Sequence, residues 1–354
     1  MRIFLHLTAF SVLTLPTFAG TATKARSIVR SYDLSFKNWV EQVQAAKGKD
    51  AQIAAWNVQP NPDETGRNLW REIRNNLNES WTLEYAAWLY ENSPVVVKAA
   101  AVNQKPADFR IRSAVERFHL GSPRVGSLAV AISRLKDPSA LGLLEKIEKE
   151  NPDSRVQGAA AMGQAMILRT MGNDWKVIGK RQDKLRKAII QGHDLPVGKT
   201  TIIRLAEDEV FSMNNLEVST SAPDIKGIDI AAKPFSLSDY RGKIVVLVFW
   251  HTWMFEANRS IKNLRQLHQD LQGKDAVVIG VNQDHPLTLR KMTADGETPW
   301  RNFSDSTRAI AKQYRIGEWP KVFVLDGEGK IAHVGPPGAF VNIAVDSLLA
   351  KKGQ

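Results

Sequence analysis

The sequence predicts two domains, an all-helical one followed by an α/β/α sandwich. The run Ile244–Trp250 contains only β-branched, aliphatic and aromatic residues, which is typical of a short strand buried on both faces. Directly after it, apolar residues recur at three- and four-residue steps and mark one helix stripe: Ile261, Leu264, Leu267 and Leu271. Because ligands in such sheets usually bind at the carboxyl end of a central strand, the join between the run and the stripe is the candidate site.

Residues 1–19 predict a signal peptide. Arg2 precedes a mostly apolar segment from Ile3, and the small residues Thr17 and Ala19 suit a signal-peptidase site. The apolar segment is shorter than the about 20 residues that span a bilayer, so a retained N-terminal membrane anchor is the less favoured alternative. We therefore expect an exported protein, either periplasmic or secreted.

The composition excludes several kinds of chemistry. The 354 residues contain no cysteine, which rules out disulfides, thiolate metal sites and cysteine catalysis in this chain. The net charge of +11 favours weak attraction to an anionic envelope surface over nucleic-acid binding, because the protein is expected to be exported. A basic surface that serves only solubility is the plainer alternative.

Residues 22–203 are predicted to be helical throughout. Three segments begin alike, and their valines Val97, Val125 and Val156 lie about thirty residues apart. This spacing is typical of paired-helix solenoids, so we expect an irregular domain of the HEAT/TPR-like kind. Asp63 is the predicted N-cap of the helix that follows the proline-containing turn at residues 59–62.

Two further features of the helical domain are expected to be structural. Five tryptophans lie between Trp39 and Trp88, and helical tryptophans more often pack in a core than bind sugars or peptides. The segment Lys176–Lys187 predicts a basic helix with a solvated face. Small residues on the preceding helices would permit close helix–helix approach.

A linker at residues 204–223 is predicted to lead into the sandwich at residues 224–354. A short helix predicted at residues 200–214 leads into the second domain. The remaining predicted elements are a hairpin at 225–235, a strand at 276–282, a helix capped by Asp284 with Pro286 in its first turn, a helix at 307–314, strands at 321–326 and 330–334 around a glycine turn, and a terminal helix at 340–351.

The second domain resembles a known family. Three stretches carry the resemblance: Ala222–Asp224, Pro234–Lys243 and Phe249–Trp250. They resemble the redoxin (AhpC/TSA, TlpA-like) branch of the thioredoxin superfamily, and their position behind a helical region resembles exported redoxin-domain proteins of planctomycete type. The resemblance implies a thioredoxin-like sandwich with Trp-Cys-x-x-Cys at the strand–helix join.

This chain departs from the family at the residues that react. Met254 and Ala257 stand where the resemblance implies the two cysteines. Thiol–disulfide exchange needs a thiolate that attacks a disulfide sulfur, and peroxide reduction in this family passes through a cysteine sulfenic acid. A methionine thioether and an alanine methyl group supply neither, so we expect a vestigial motif, a redox-inactive protein and no cofactor.

The resemblance also implies a binding surface. Pro320 matches the family's cis-proline, whose preceding backbone pairs with extended substrate, and Trp319 would present that backbone to a peptide. Trp253, Phe255 and Glu256 are expected to converge with these two residues. The alternative is a structural turn whose Trp319 packs over a vacant site.

Three functions remain open at this point. The favoured one is peptide or protein binding by a redox-inactive thioredoxin-like module. The second is an enzyme with non-cysteine chemistry at His251 and Glu256, in which case the pair should converge in a cleft. The third is a structural adaptor that uses the helical domain. No metal or nucleotide motif is present, and the sequence predicts neither the partner nor the oligomeric state.

Overall fold

The computed structural model describes residues 20–47, 51, 54–55, 58–100, 105–172, 174–252 and 257–352. The predicted signal peptide lies outside the described residues. The chain divides into two compact units. One unit comprises Met1–Glu41 and Gln59–Ile202, and the other comprises Gln42–Val58 and Ile203–Gln354.

The first unit is built from α-helices. They are α1 (Ala22–Ala45), α2 (Pro62–Ile73), α3 (Thr82–Asn92), α4 (Pro94–Lys98), α5 (Ala107–Ala114), α6 (Val125–Ile132), α7 (Leu141–Glu150), α8 (Ser154–Leu168) and α9 (Trp175–Gly192). A π-helical turn, Val115–His119, continues α5. A short antiparallel pair, β1 (Pro196–Val197) and β2 (Thr200–Thr201), follows α9, so the next helix begins at Ile202 rather than at the predicted Thr200.

The first helix after the proline turn is capped differently from the prediction. Asn61, not Asp63, is the N-cap of α2, and its side-chain oxygen accepts hydrogen bonds from the backbone N–H groups of Asp63 and Glu64. Pro62 occupies the first helical position, where its fixed φ suits a helix and its missing N–H costs nothing. Asp63 is therefore inside the helix, where its carboxylate favours the positive end of the dipole.

The core of the first unit contains many small residues. Gly158 on α8 lies so close to α9 that an added Cβ would come within 2.3 Å of the backbone nitrogen of Gly192. Trp39 is buried, and Trp70, Trp81 and Trp88 pack against the core, as expected. The three repeat valines are all fully buried. They lie on helices of 5, 8 and 15 residues, and the solenoid repeat itself stays a prediction.

The second unit is a thioredoxin-like sandwich around a mixed five-stranded sheet. Its elements are α10 (Ile202–Asn215), β3 (Lys226–Ile228), β4 (Pro234–Ser236), β5 (Ile244–Trp250), α11 (Ala257–Asp270), β6 (Ala276–Asn282), α12 (Pro286–Ala294), β7 (Arg301–Ser304), α13 (Ala309–Gln313), β8 (Lys321–Leu325), β9 (Ile331–Gly335) and α14 (Ala339–Lys352). The sheet order is β7-β6-β5-β8-β9, with β8 antiparallel to β5.

The central strand β5 is buried at every position because alternate side chains enter two cores. Val245, Leu247 and Phe249 point into the core shared with α13. Val246 and Val248 point into the core shared with α11 and α14. Burial on both faces explains why the run shows no polar alternation, and it confirms the predicted α/β/α arrangement.

The segment predicted as a linker is part of the second unit. After α10, Leu216 and Ala222 enter the core, and the backbone N–H groups of Ser219 and Ala222 donate to carbonyls of the β8–β9 hairpin and β9. These bonds and this burial hold the segment on the sandwich. Across the described residues, no helix is long and apolar enough to cross a membrane.

Candidate functional site

The strand register brings three segments to one end of the sheet. At the carboxyl end of β5, Trp250 pairs with Asn282 of β6, and Phe249 pairs with Lys321 at the beginning of β8. The residues that follow β5, namely His251 and Thr252, therefore lie at the same end as Trp319 and Pro320, which precede β8. This end is where the sequence placed the candidate site.

A buried carboxylate fixes the chain directly after β5. Asp284 accepts hydrogen bonds from the Thr252 backbone N–H at 3.0 and 3.2 Å and from its hydroxyl at 2.8 Å. The Asn282 side-chain amide donates to the same carboxylate at 2.8 Å. The prediction that Asp284 caps α12 is wrong. The N-cap is His285, because the Asp284 side chain is occupied by Thr252 and Asn282.

The Trp319–Pro320 peptide bond is cis, as the resemblance implied. The Trp319 ring is half-buried and lies between two rings. It contacts Phe249 edge to face, with ring centroids 6.4 Å apart, and it tilts over His251 at 5.2 Å. Phe249 in turn packs against Tyr314 and Phe323, so Trp319 rests on a rigid aromatic base.

The His251 imidazole is half-buried directly after β5. Burial lowers its pKa, Asp284 opposes that shift, and Arg308 adds to it. Within the described part of the chain, its buried Nδ1 atom has no hydrogen-bond partner. The ring therefore carries an unpaired but buried nitrogen beside the Trp319 indole.

A second buried carboxylate supports the neighbouring loop. Asp305 accepts hydrogen bonds from the backbone N–H groups of Ile310 and Ala311 at 3.0 and 2.8 Å, and its own N–H donates to the Asn282 carbonyl. Burial raises the pKa of Asp305, and these backbone donors oppose the rise. The bonds tie the start of α13, next to the left-handed residue Arg308, to the end of β6.

The structure describes only part of the predicted binding set. Trp253, Met254, Phe255 and Glu256 lie outside the described residues, and Ala257 opens α11 without a described side chain. Trp319 and Pro320 do lie beside the end of β5. The expected convergence of Trp253, Phe255 and Glu256 with Trp319 stays a prediction, as does the His251–Glu256 pair.

Sequence analysis missed the polar residues that organise this end of the sheet. Thr252, Asn282 and Asp284 form one hydrogen-bonded cluster, and Asp305 extends it. One feature of the sequence could have identified them. Polar residues follow directly after two apolar segments predicted to be strands, and sites usually form at such strand ends. Among the described residues, no cluster of three or more histidine or acidic side chains has the geometry to hold a metal ion.

Part of the second unit matches the model of a known protein family. The model of the AhpC/TSA family matches residues 218–334, which include β5 to β8, all of β9 except Gly335, and the Trp319–Pro320 turn. Residues 218–334 belong to the AhpC/TSA family. The matched residues lie within the second unit, and the chain that contains them has no cysteine.

Two groups of curated proteins are similar to about a third of this chain. The thiol-disulfide oxidoreductase ResA of Geobacillus thermodenitrificans is 28% identical over 118 residues, which are 33% of this chain and 68% of ResA. Protein DipZ of Mycobacterium tuberculosis is 28% identical over 130 residues, covering 34% of this chain and 19% of DipZ. Neither relative bears on the planctomycete-type arrangement, which stays a prediction.

Solved structures align with the same portion of the chain. The thioredoxin domain of a thiol-disulfide oxidoreductase from Bacteroides vulgatus is 24% identical, covering 38% of this chain and 99% of that domain with a TM-score of 0.35. A secreted thiol-disulfide isomerase from Corynebacterium glutamicum is 22% identical, covering 37% of this chain and 85% of the isomerase with a TM-score of 0.33.

Proposed function

We propose that this protein is an exported, redox-inactive AhpC/TSA-domain protein that binds an extended peptide segment of a partner protein beside Trp319. The observation that carries the proposal is the half-buried Trp319 ring, packed between Phe249 and His251 at the carboxyl end of a central strand in a chain without cysteine. The covalent step of the family is lost, and a surface suited to noncovalent binding is left.

Two properties of this surface favour a peptide. Within the described residues, the Trp319 backbone has no hydrogen-bond partner, so its N–H and C=O are available to an extended strand. The His251 ring, tilted over the indole with ring centroids 5.2 Å apart, extends the apolar platform on one side. An apolar platform beside open backbone groups suits a peptide better than a compact polar metabolite.

Export is the second part of the proposal. It is supported by the signal-like residues 1–19. Export does not require disulfides of this chain, because each unit has its own apolar core.

The first expected result is redox inactivity. Because no residue can form a thiolate, the purified chain should neither reduce insulin disulfides with dithiothreitol nor consume peroxide above a heat-denatured control. The matched control is the double variant Met254→Cys/Ala257→Cys, in which mild oxidation should form one intramolecular disulfide, detectable by mass spectrometry. Turnover by the natural chain would refute the proposal.

The second expected result concerns binding. A partner is first captured from the exported fraction, and its affinity is then measured for variants. Truncating a buried aromatic anchor typically costs about 2 kcal/mol or more, so Trp319→Ala should weaken binding about thirtyfold. Glu256→Ala and Ile228→Ala, an exposed apolar residue on the β3–β4 hairpin, should change the affinity less than threefold.

One result would contradict the proposal that the partner binds beside Trp319. If Trp319→Ala folds normally by circular dichroism and leaves the partner's affinity unchanged, the surface beside Trp319 is not where the partner binds. The helical domain would then carry the contact, as the adaptor alternative holds.

An enzyme with non-cysteine chemistry remains a second candidate because of one observation. The buried Nδ1 of His251 has no hydrogen-bond partner among the described residues, and burial lowers the pKa of the ring, so this nitrogen could act as a general base for a substrate that reached it. The nearby Asp284 does not orient the ring by a hydrogen bond, because its described bonds go to Thr252 and Asn282. A screen of esters and amides in which His251→Gln abolishes turnover would favour this candidate over peptide binding.

A further inference from the structure

A cleft in the first unit lies between α1 and α3 and is independent of the AhpC/TSA domain. Its volume is about 320 Å³, which is enough for a small molecule of amino-acid size. Arg26 and Arg30 line it from α1, and Tyr85 and Trp88 line it from α3. The lining combines three kinds of surface: two cations, two carboxylates and an apolar wall.

The two cations are placed to hold one anion. Arg26 and Arg30 are one helical turn apart, so their side chains leave the same side of α1 with Cβ atoms about 6 Å apart. Both are exposed, and neither lies within ion-pair distance of a carboxylate among the described residues. Two guanidinium groups in this arrangement match the bidentate geometry of a carboxylate.

The apolar wall of the cleft is held by contacts with neighbouring residues. Tyr85 is only 4% exposed, and its hydroxyl donates to the Ala22 carbonyl at 3.3 Å. Trp88 is fixed edge to face against Tyr32, with ring centroids 5.3 Å apart. Val29, which packs against the core, completes the wall. Such a wall suits an apolar side chain rather than a polar head group.

Two carboxylates supply negative charge to the cleft. Asp33 and Glu84 also line the cleft, one from each helix. Burial raises the pKa of Tyr85, Glu84 raises it further and Arg26 opposes the rise. The cleft therefore presents positive and negative groups at the edge of one apolar surface.

We propose that this cleft binds a free α-amino acid with an apolar or aromatic side chain. Arg26 and Arg30 receive the α-carboxylate, Asp33 and Glu84 receive the α-ammonium group, and the side chain lies on Trp88 and Tyr85. A simple anion would leave the acidic pair unused, and a simple cation would be repelled by the arginines. A zwitterion with an apolar body is the ligand class that uses every part of the lining.

Calorimetric titration of the full chain tests the proposal with three related probes. L-Phenylalanine should bind saturably, whereas 3-phenylpropionate, which lacks the ammonium group, and phenethylamine, which lacks the carboxylate, should each bind at least tenfold more weakly. Arg30→Gln should weaken L-phenylalanine at least tenfold. Glu84→Gln should weaken L-phenylalanine while leaving 3-phenylpropionate unchanged or improved.

Arg67→Gln is the matched control, because Arg67 is an exposed arginine on α2 that does not line the cleft. It should leave L-phenylalanine binding unchanged. Circular dichroism establishes that each variant is folded. The proposal is overturned if L-phenylalanine shows no saturable heat up to about 10 mM. It is also overturned if 3-phenylpropionate binds equally well, or if Arg67→Gln weakens binding as much as Arg30→Gln.

Discussion

Replacing Phe249 with alanine should lower the free energy of unfolding by about 3–5 kcal/mol. Phe249 is fully buried on the central strand, and its ring lies 5.1 Å from Tyr314, 5.8 Å from Phe323 and 6.4 Å from Trp319. Deleting the ring removes its apolar transfer energy and leaves a cavity among three rings that cannot collapse around it. Urea unfolding of the full chain, followed by circular dichroism, measures the loss.

Phe340→Ala provides the matched comparison for Phe249→Ala. Phe340 is 74% exposed on α14, so the same chemical change should alter the free energy of unfolding by no more than about 0.5 kcal/mol. If Phe249→Ala cost less than about 1 kcal/mol, the close packing beneath Trp319 would be wrong. The variant also links stability to function, because Trp319 should lose order when its aromatic base is removed.

Replacing Asp284 with alanine is the second large effect, with an expected loss of about 3 kcal/mol. The change leaves the Thr252 backbone N–H and the buried Asn282 amide without their acceptor, and each such buried donor costs about 1–3 kcal/mol. Asp284→Asn should cost less, because one side-chain oxygen still accepts from Thr252. Thermal and urea unfolding of both variants measure the difference.

Asp295 provides the control for this prediction. It is an exposed aspartate just beyond the end of α12, and Asp295→Ala should change the free energy of unfolding by about 0.5 kcal/mol or less. If Asp284→Ala unfolded at the same temperature and urea concentration as the natural chain, the hydrogen-bonded cluster after β5 would not contribute to stability. Because this cluster holds His251 and Thr252 in place, loss of stability should be accompanied by weaker partner binding.

Local patterns in the sequence determined the elements and the missing chemistry. The apolar run Ile244–Trp250 identified β5, because a strand buried on both faces needs no polar residue. The glycine turn after Leu325 identified the β8–β9 hairpin. The absence of cysteine excluded thiol chemistry in this chain without any structural information. Each conclusion depends on neighbouring residues or on composition alone.

Only the tertiary structure decided which polar groups meet. The sequence around Asp284 indicated a helix cap. In the structure, the Asp284 carboxylate accepts a hydrogen bond from Thr252, 32 positions away, and the neighbouring His285 caps α12 instead. Asn61 similarly replaced Asp63 as a cap. Arg26 and Trp88 carry no shared sequence signal, and they line one cleft because α1 packs against α3. Hydrogen bonds and charge pairs are short-ranged and directional, so their partners depend on how distant segments pack.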